Sequence, residues 1–591
     1  MKRRRYNSNA TSPGIVIGSA FRISRSCSYF ERYWLRDKDI KKEVKRFQVA
    51  LQKSREQLSR IQTKLCRFQG REQIKIIESH RMFLQDDMLV VATIDYIKNA
   101  KINAEWALDK VLAQLKLAFF SVQEEYLRER SQDIDYVGRR LMGNLLGSPD
   151  LLQKDFPKHD FIVIAHDISP AEVVNLPKDR VMGFVMEMGG ETSHSAIIAR
   201  ALEIPALFGV EGVLDEVKAG EQLILDGIKG SLIASPHKKE LEQYHTVQAK
   251  YEVLEKLLLQ DIDLPTETRD GHKLSLEANI ELVSEVGSAL QHGAEGIGLY
   301  RTEYLFLDQL EVPSEEEQIE NYLQVLEQMH PKPVTIRTID LGGDKMPLGR
   351  KYSEQANPAL GVRGIRLCLR ERSIFKTQLR ALFRASVVGN LKILLPMVSG
   401  VEEVRQVKKI IREVKRELAK EQRRFDESVQ LGIMIEVPSA VMVATDLARE
   451  VDFFSIGTND LLQYGLAVDR TNELVNQLSA PLHPALLRMI QMTVKAANEA
   501  NIPVSMCGEM AGDPLAMSFL IGMDLSALSM NPVSIPRVKK ILRSLTKSAA
   551  AELLEKVIVL HTVSDVSRVV KKEVSKVLPA VVDQFDELTI P

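Results

Sequence analysis

From about residue 266 onward, apolar strand-like segments alternate with helix-like segments, and this alternation constrains the fold more than any other feature. Helical stretches such as 402–421 and 536–544 separate the predicted strands. The eight predicted strands are 274–279, 296–299, 333–338, 391–396, 431–437, 452–456, 503–507 and 527–530. Eight repeats of a strand and a helix over roughly 300 residues are typical of a (β/α)8 TIM barrel, so the sequence predicts an α/β fold of that kind. A doubly wound open sheet is the alternative.

The region before the barrel has a different pattern. Residues 38–146 are rich in Glu, Lys, Arg, Gln and Leu and contain no proline. Apolar residues recur at helical spacing, for example Leu58, Ile61 and Leu65, which predicts helices that pack one face inward. The sequence therefore predicts a helical bundle here.

Short apolar segments resume after residue 155 and predict a small α/β unit, with the helical bundle inserted near its start. Segments 161–165, 181–185 and 222–226 are predicted as buried strands. A charged helix without Gly or Pro follows from about 237 to 260, as expected of a linker. The predicted domains are 1–34 with 150–236 for the α/β unit, 35–149 for the helical insertion, 237–265 for the linker helix and 266–591 for the barrel.

The composition argues against several classes of function. A formal net charge of −1 at pH 7 is unlike that of nucleic-acid-binding proteins, which carry a strong basic excess. No uninterrupted apolar stretch approaches the ~20 residues of a membrane span, and the basic start at 1–5 lacks the apolar region of a secretory signal. The four cysteines are scattered without a CxxC pair, which suits a reducing cytoplasm.

The run at 189–200 places a histidine in a glycine-led turn that opens a predicted helix. Thr192 or Ser193 can cap this helix, which puts His194 in the first helical turn. Backbone N–H groups and the helix dipole favour negative charge there, so an imidazole at this place can accept a phosphoryl group. The alternative interpretation is a capping turn with an incidental surface histidine.

Polar residues follow the carboxyl ends of the predicted barrel strands, where a barrel gathers its chemistry. Several arginines together suit a small dianion, because their planar guanidinium groups bind phosphate or carboxylate at two points. Two of the carboxylates, Glu436 and Asp460, suit Mg²⁺. For any single arginine the alternative is a surface ion pair, and for Asp460 it is a turn residue. These strand-end residues include Arg301, Glu303, Arg337, Asp340, Glu436, Asn459, Asp460, Arg470, Cys507 and Glu509.

Cys507 ends the seventh predicted strand at the same face. A lone cysteine in such a place is most often a buried core residue, but a thiol can also donate a proton or act as a nucleophile. Acid catalysis is favoured because His194 already supplies a nucleophile. No GxxxxGK[ST] run is present, so a phosphoryl donor other than ATP is predicted.

Taken together, these motifs resemble enzyme I of the bacterial phosphoenolpyruvate-dependent phosphotransferase system. The resemblance covers nearly the whole chain and is strongest at 189–200, 298–303, 453–461 and 506–509. It implies that His194 takes the phosphoryl group of phosphoenolpyruvate and passes it to a histidine of the small carrier protein HPr. It also implies that the helical insertion docks HPr. The barrel would bind phosphoenolpyruvate, Mg²⁺ and the partner subunit of a homodimer in the cytoplasm, without nucleic acid or membrane insertion.

The resemblance also assigns roles to individual residues. Arg301, Arg337, Asn459 and Arg470 correspond to substrate ligands, with Arg363 as a further candidate, Glu436 and Asp460 to the Mg²⁺ ligands, and Cys507 to the acid that protonates the leaving enolate of pyruvate. One departure is Glu191, which stands where the family usually has Arg or Lys.

Two other functions are compatible with parts of this pattern. A phosphoenolpyruvate synthase or pyruvate phosphate dikinase shares the histidine domain and the barrel, but it needs an ATP-grasp domain ahead of the histidine. The roughly 180 residues before His194 are instead predicted as a helical insertion in a small α/β unit, and they are too few for both parts. A catalytically inactive regulator is the other alternative, and the joint presence of His194, Glu436, Asp460 and Cys507 argues against it.

Overall fold

The chain divides into two compact units, Met1–Val253 and Leu254–Pro591. The computed structural model describes residues 3–8, 10–23, 30–67, 77, 80–120, 125–147, 156–168, 176–177, 179–188, 199, 204–306, 312–342, 357–469, 472, 474–475 and 478–577. Each unit is built around its own sheet.

An eight-stranded mixed sheet forms the centre of the first unit, in the order β1-β8-β7-β3-β4-β5-β6-β2. Its strands are β1 (Arg4–Asn7), β2 (Ala10–Ser12), β3 (Ile15–Ile23), β4 (Phe161–Ala165), β5 (Val181–Met186), β6 (Ala206–Phe208), β7 (Gln222–Asp226) and β8 (Ser231–Ala234). Strands β3 to β6 are parallel, and the remaining pairs are antiparallel. Every residue of β4 is buried, which explains why its sequence is uniformly apolar rather than alternating.

A helical bundle is inserted between β3 and β4, as predicted. Its helices are α1 (Ile40–Arg67), α2 (Asp87–Asn99), α3 (Ala104–Phe120) and α4 (Glu125–Leu146). Their apolar faces form a separate core that includes Phe47, Leu58, Ile61 and Leu108. None of the described residues of this core belongs to the sheet, so the bundle has a hydrophobic core separate from that of the sheet.

The short helix α5 (Val213–Glu216) precedes β7, and the charged helix α6 (Lys238–Leu259) follows β8. Helix α6 occupies most of the segment predicted as a linker helix. Near its start, the hydroxyl of Tyr244 donates a hydrogen bond of 3.4 Å to Oδ2 of the buried Asp226 at the end of β7. This contact fixes the start of α6 to the sheet.

The second unit is a closed barrel of parallel strands, in which the last strand pairs with the first. The strands are β9 (Ser275–Ile280), β10 (Ile297–Arg301), β11 (Val334–Arg337), β12 (Leu391–Leu395), β13 (Gln430–Ile435), β14 (Phe453–Ile456), β15 (Val504–Met506) and β16 (Ala527–Met530). The eight predicted strands are thereby confirmed to within a few residues. The open-sheet alternative is wrong, because β16 hydrogen-bonds β9 along its length.

Helices surround this barrel. They are α7 (Val286–Gln291), α8 (Glu315–Met329), α9 (Gly364–Arg370), α10 (Arg372–Ala385), α11 (Val401–Lys420), α12 (Pro438–Met442), α13 (Ala444–Ala448), α14 (Thr458–Leu466), α15 (Pro484–Glu499), α16 (Pro514–Leu520), α17 (Ile535–Ser544), α18 (Lys547–Ile558) and α19 (Val563–Val577). Their apolar faces pack against the outward-facing strand residues in one large core. Among the helices that the structure describes, none has the length and apolar character needed to cross a membrane.

A smaller apolar cluster lies apart from this core and consists of Leu299, Leu394, Met434, Phe453 and Cys507. Alternate residues of a strand face opposite sides of the sheet, so these side chains project from the side opposite to the helices, into the barrel. Cys507 therefore lies on the inner surface of the barrel near its carboxyl end.

Candidate active site

The carboxyl rim of the barrel gathers several of the side chains that the sequence singles out. Arg337 is the last residue of β11, and Glu436 follows β13 directly. Asp460 lies in the first turn of α14, which begins two residues after β14. Because all strands of a closed parallel barrel end at the same rim, residues that are far apart in the sequence meet there.

Three carboxylates form the centre of this rim. Asp340, Glu436 and Asp460 each place one oxygen within 4.8 Å of the others. Glu436 is 1% exposed, and its Oε1 accepts a hydrogen bond of 2.6 Å from the backbone N–H of Met397. Burial and the negative charges of Asp340 and Asp460 raise the pKa of Glu436 well above its usual value, with Arg337 opposing the rise. Among the described residues, three carboxylates are thus crowded together in a buried site.

Two arginines hold Asp340 from either side. Arg337 Nη1 and Arg363 Nη2 each lie 3.0 Å from Asp340 Oδ2. The other terminal nitrogen of Arg337 contacts Glu303 at 3.1 Å, and Arg363 also approaches Asp460 Oδ2 at 3.7 Å. Burial by itself lowers the pKa of both guanidinium groups, but the neighbouring carboxylates outweigh it and raise each pKa. Both arginines are therefore permanently charged and largely shielded from water.

Arg363 owes its position to the residue that follows it. Gly364 has φ of +54°, and a Cβ there would lie 2.8 Å from Cβ of Met397. Glycine adopts this left-handed conformation without the steric cost that other residues meet. The guanidinium of Arg363 also donates to the hydroxyl of Tyr464 at 3.2 Å, and that hydroxyl donates to the carbonyl of Ala359 at 2.6 Å. The segment before α9 is thereby tied to α14.

Arg301 and Asn459 are occupied by protein partners in this structure. Arg301 forms an ion pair with Glu281. Asn459 makes two hydrogen bonds with Glu509: its Nδ2 donates to the carboxylate at 3.0 Å, and its Oδ1 accepts from the backbone N–H at 3.1 Å. This pair links the segments after β14 and β15, and it fixes which end of the Asn459 amide is the donor.

Cys507 is 2% exposed and lies directly after β15. The hydroxyl of Ser455, on the neighbouring strand β14, lies 3.1 Å from its sulfur. Burial raises the pKa of the Cys507 thiol to about 11, although the hydrogen bond from Ser455 acts in the opposite direction. The thiol consequently keeps its proton at neutral pH. At the next position the backbone of Gly508 closely approaches Thr458, and a Cβ on residue 508 would collide with the Thr458 hydroxyl.

Around the rim, buried polar atoms lack hydrogen-bond partners among the residues that the structure describes. They are Arg337 Nε, Glu303 Oε2, Thr338 Oγ1 and Thr458 Oγ1. Buried polar groups are rarely left unpaired, because each costs free energy comparable to a lost hydrogen bond. Such a set at one end of a barrel is typical of a site whose remaining partners come from a ligand.

Five residues of the sequence interpretation lie outside the described part of the chain, namely Glu191, Thr192, Ser193, His194 and Arg470. The structure in turn identifies rim residues that sequence reasoning left without a role. Asp340 joins the carboxylate centre, Glu303 supports Arg337, and Ser455 contacts Cys507. Asp340 was detectable as a strand-end carboxylate close to Arg337, whereas nothing in the sequence marks Ser455 as a neighbour of the thiol.

Comparisons with known proteins identify related domains along the chain. Three family models match in order: the N-terminal domain of PEP-utilising enzymes over residues 8–130, the mobile domain over 157–230 and the PEP-binding domain over 256–547. The PEP-binding match contains the barrel and its rim.

The chain also resembles full-length relatives. It is 40% identical over 566 residues to phosphoenolpyruvate-protein phosphotransferase of Priestia megaterium, covering 95% of this chain and 98% of the relative. It is 39% identical over 561 residues to the protein of that name from Haemophilus influenzae, covering 95% and 97%. A solution NMR structure of enzyme I is 35% identical, with a TM-score of 0.36, over 42% of this chain and 99% of that one. On the strength of the full-length relatives, this chain belongs to the phosphoenolpyruvate-protein phosphotransferases, the enzyme I family of transferases.

Proposed function

We propose that the chain transfers the phosphoryl group of phosphoenolpyruvate to its own His194, releases pyruvate, and passes the group to a histidine of HPr. This is the first step of a phosphotransferase system for sugar uptake or regulation. The observation that carries the proposal is the buried rim of the barrel, where three carboxylates, two arginines and a protonated thiol meet. The family to which the chain belongs supplies the substrate class.

Substrate binding is assigned to the arginines and amides of the rim. Arg337 and Arg363 are buried, charged and aimed at the carboxylate centre, and a dianionic substrate would compete with Asp340 for them. Arg301 ends β10 and Asn459 lies in the first turn of α14, and each would exchange its protein partner for substrate oxygen atoms. Arg470 completes the proposed set on the basis of the resemblance.

Glu436 and Asp460 are proposed to hold Mg²⁺, with Asp340 as a third candidate ligand. The donor set fits this ion, because Mg²⁺ prefers carboxylate oxygens and takes its remaining ligands from substrate and water. The raised pKa of Glu436 supports the assignment, since a divalent cation would relieve the crowding that causes it. When bound, the ion would neutralise charge on the transferred phosphoryl group.

Chemistry at the rim then needs a nucleophile and an acid. His194 attacks phosphorus as the neutral imidazole, the form in which one ring nitrogen carries a free lone pair. The P–O bond breaks, and the enolate of pyruvate leaves. Cys507 donates its proton to the methylene carbon of the enolate, and the resulting thiolate takes a proton back from solvent. The high pKa of the thiol keeps the proton available for this step.

The division of labour follows the predicted domains. The α/β unit at 1–34 and 150–236 would carry the phosphohistidine, and the helical insertion at 35–149 would dock HPr. The linker helix at 237–265 would let the first unit visit two partners, and 266–591 would bind phosphoenolpyruvate and the partner of a homodimer. The near-zero net charge and scattered cysteines support a cytoplasmic protein that neither binds nucleic acid nor inserts into membranes.

The decisive experiment follows label from phosphoenolpyruvate in the presence of Mg²⁺ and HPr. In the wild-type protein, alkali-stable and acid-labile label should appear on the chain and then on HPr. His194→Ala should abolish both, because it removes the acceptor. His159→Ala is the matched control, since it removes an exposed histidine of the same unit that contacts Ser19. Label that persists on the His194→Ala protein would move the acceptor elsewhere and contradict the proposal.

A further inference from the structure

Ser455 is a fully buried residue on the inner face of β14, and its side chain contacts that of Cys507, which directly follows the neighbouring strand β15. Its hydroxyl oxygen lies 3.1 Å from the sulfur. The thiol itself is directed to the carbonyl of Ile456, at 3.7 Å. In the shorter contact the serine hydroxyl is the donor and the sulfur is the acceptor.

The backbone around Cys507 leaves the sulfur little freedom. The N–H of Cys507 donates to the carbonyl of Ile456 at 3.0 Å, and the carbonyl of Cys507 accepts from Asn279 at 3.0 Å. The backbone of Gly508 lies so close to Thr458 that a side chain at position 508 would collide with it. Within the described residues, Ser455 is the one polar side chain that hydrogen-bonds the sulfur. The orientation of the thiol therefore depends on this hydroxyl.

We propose that Ser455 is a positioning residue for the proton transfer to the enolate. Its hydroxyl holds the sulfur in one orientation and, when the S–H bond breaks and the C–H bond of pyruvate forms, donates to the sulfur that now carries the negative charge. Hydrogen bonds to charged groups are stronger than those to neutral ones, so this contact gains strength as the proton leaves. The inference rests on the proposed role of Cys507 as the acid.

The proposed role of the Ser455 hydroxyl predicts two effects that a purely space-filling side chain would not produce. The first is on the rate, because the thiolate loses its donor in Ser455→Ala. The second is on the stereochemistry, because a fixed sulfur protonates one face of the enolate, whereas an enolpyruvate that escapes is protonated by solvent on either face. A serine that only fills space would influence neither of them.

The test uses the full chain with Mg²⁺, HPr and phosphoenolpyruvate that is stereospecifically deuterated at C3, in tritiated water. We expect Ser455→Ala to slow enzymatic pyruvate formation about 10- to 100-fold and to scramble the configuration of the new methyl group. Ser455→Thr retains the hydroxyl and should restore both. Ser505→Ala is the matched control, since its hydroxyl contacts the carbonyl of Phe454 rather than the thiol, and it should behave like the wild type.

The outcomes separate this inference from the proposed function. Wild-type rate and configuration in Ser455→Ala overturn the role of Ser455. Equal losses in Ser455→Thr and Ser455→Ala also overturn it, because the measured effect would then be one of packing. Retained configuration in Cys507→Ala overturns the assignment of Cys507 as the acid, whatever Ser455 does. The melting temperatures of the variants are measured alongside, so that a loss of activity caused by unfolding is recognised.

Discussion

The barrel unit contains two groups of arginines and carboxylates, one buried and crowded and the other arranged in pairs at the surface. The first is the buried rim described above. The second, here called the surface ladder, lies on α10 and its neighbours α8 and α11. Its cations lie at four-residue intervals on α10 and are Arg372, Lys376, Arg380 and Arg384. They form ion pairs with carboxylates of the two neighbouring helices. These carboxylates are Glu315 and Glu316 in the first turn of α8, Glu413 and Glu417 on α11, and Glu421 just after α11.

The comparison shows that the energetic effect of an ion pair depends on how far its charges are shielded from water. In the ladder each cation meets carboxylates that water also solvates, so the pairs contribute little to stability and are screened by salt. At the rim, three carboxylates face two arginines in a largely buried site, and some polar atoms have no hydrogen-bond partner within the described part of the chain. There the charges repel as well as attract. The ladder charges are paired with one another at the surface, whereas the rim charges are crowded together in a buried site.

The largest effect is expected for Glu436→Gln. Catalysis should fall by about 10³-fold or more, because a metal ligand of this kind supplies several kcal/mol of transition-state stabilisation. In metal-free buffer the same change should raise the melting temperature of the barrel unit by roughly 2–4 °C, since it removes one of three crowded carboxylates. Mg²⁺ should stabilise the wild-type protein and not the variant. Calorimetry with EDTA and with Mg²⁺ measures the two changes in melting temperature, and the rate of pyruvate formation measures the loss of catalysis.

Glu450→Gln is the matched control for this change. Glu450 pairs with Arg405 and Lys408 at the surface, away from the rim, and its replacement should alter neither activity nor the response to Mg²⁺. A Glu436→Gln protein that is active, or that Mg²⁺ stabilises as much as the wild type, would show that the rim is another structural ion-pair network.

Asp340→Asn should act on stability in the opposite direction. Asp340 is the shared counter-ion of Arg337 and Arg363, so its neutralisation leaves two buried cations undercompensated. A loss of roughly 3 kcal/mol in unfolding free energy is expected, largely insensitive to added salt because the site is dry. Denaturant titrations at two salt concentrations would measure it. A stabilised Asp340→Asn protein would mean that repulsion from Glu436 and Asp460 outweighs both arginine contacts.

The smallest effect is expected in the surface ladder. Arg380→Gln removes contacts with Glu315, Glu417 and Glu421, yet it should lower the melting temperature by no more than ~3 °C. The effect should shrink in high salt, and pyruvate formation should be unchanged. A drop that is larger, or one that salt does not reduce, would indicate that the ladder resembles the rim after all.

Much of the fold was predictable because its signals are local. Each barrel strand is a short apolar run bounded by polar or turn residues, as at 391–396 and 503–507. Strand ends follow from the same runs, so the sequence also places Arg337, Glu436 and Cys507 near the rim. Their partners were less accessible: Ser455 lies 52 positions before Cys507, and only the parallel register of β14 and β15 brings the two side chains together.

The sequence by itself determined the order of the helices and strands and the chemical types that follow the strand ends, because helix and strand periodicity is set by neighbouring residues. Closure of the eight strands into a barrel was decided by the pairing of β16 with β9. The tertiary structure alone decided which charges face one another. Asp340 became the shared partner of two arginines, and Asn459 was paired with Glu509 rather than left free. Those pairings depend on how strands distant in sequence align when the barrel closes, and no local pattern encodes that alignment.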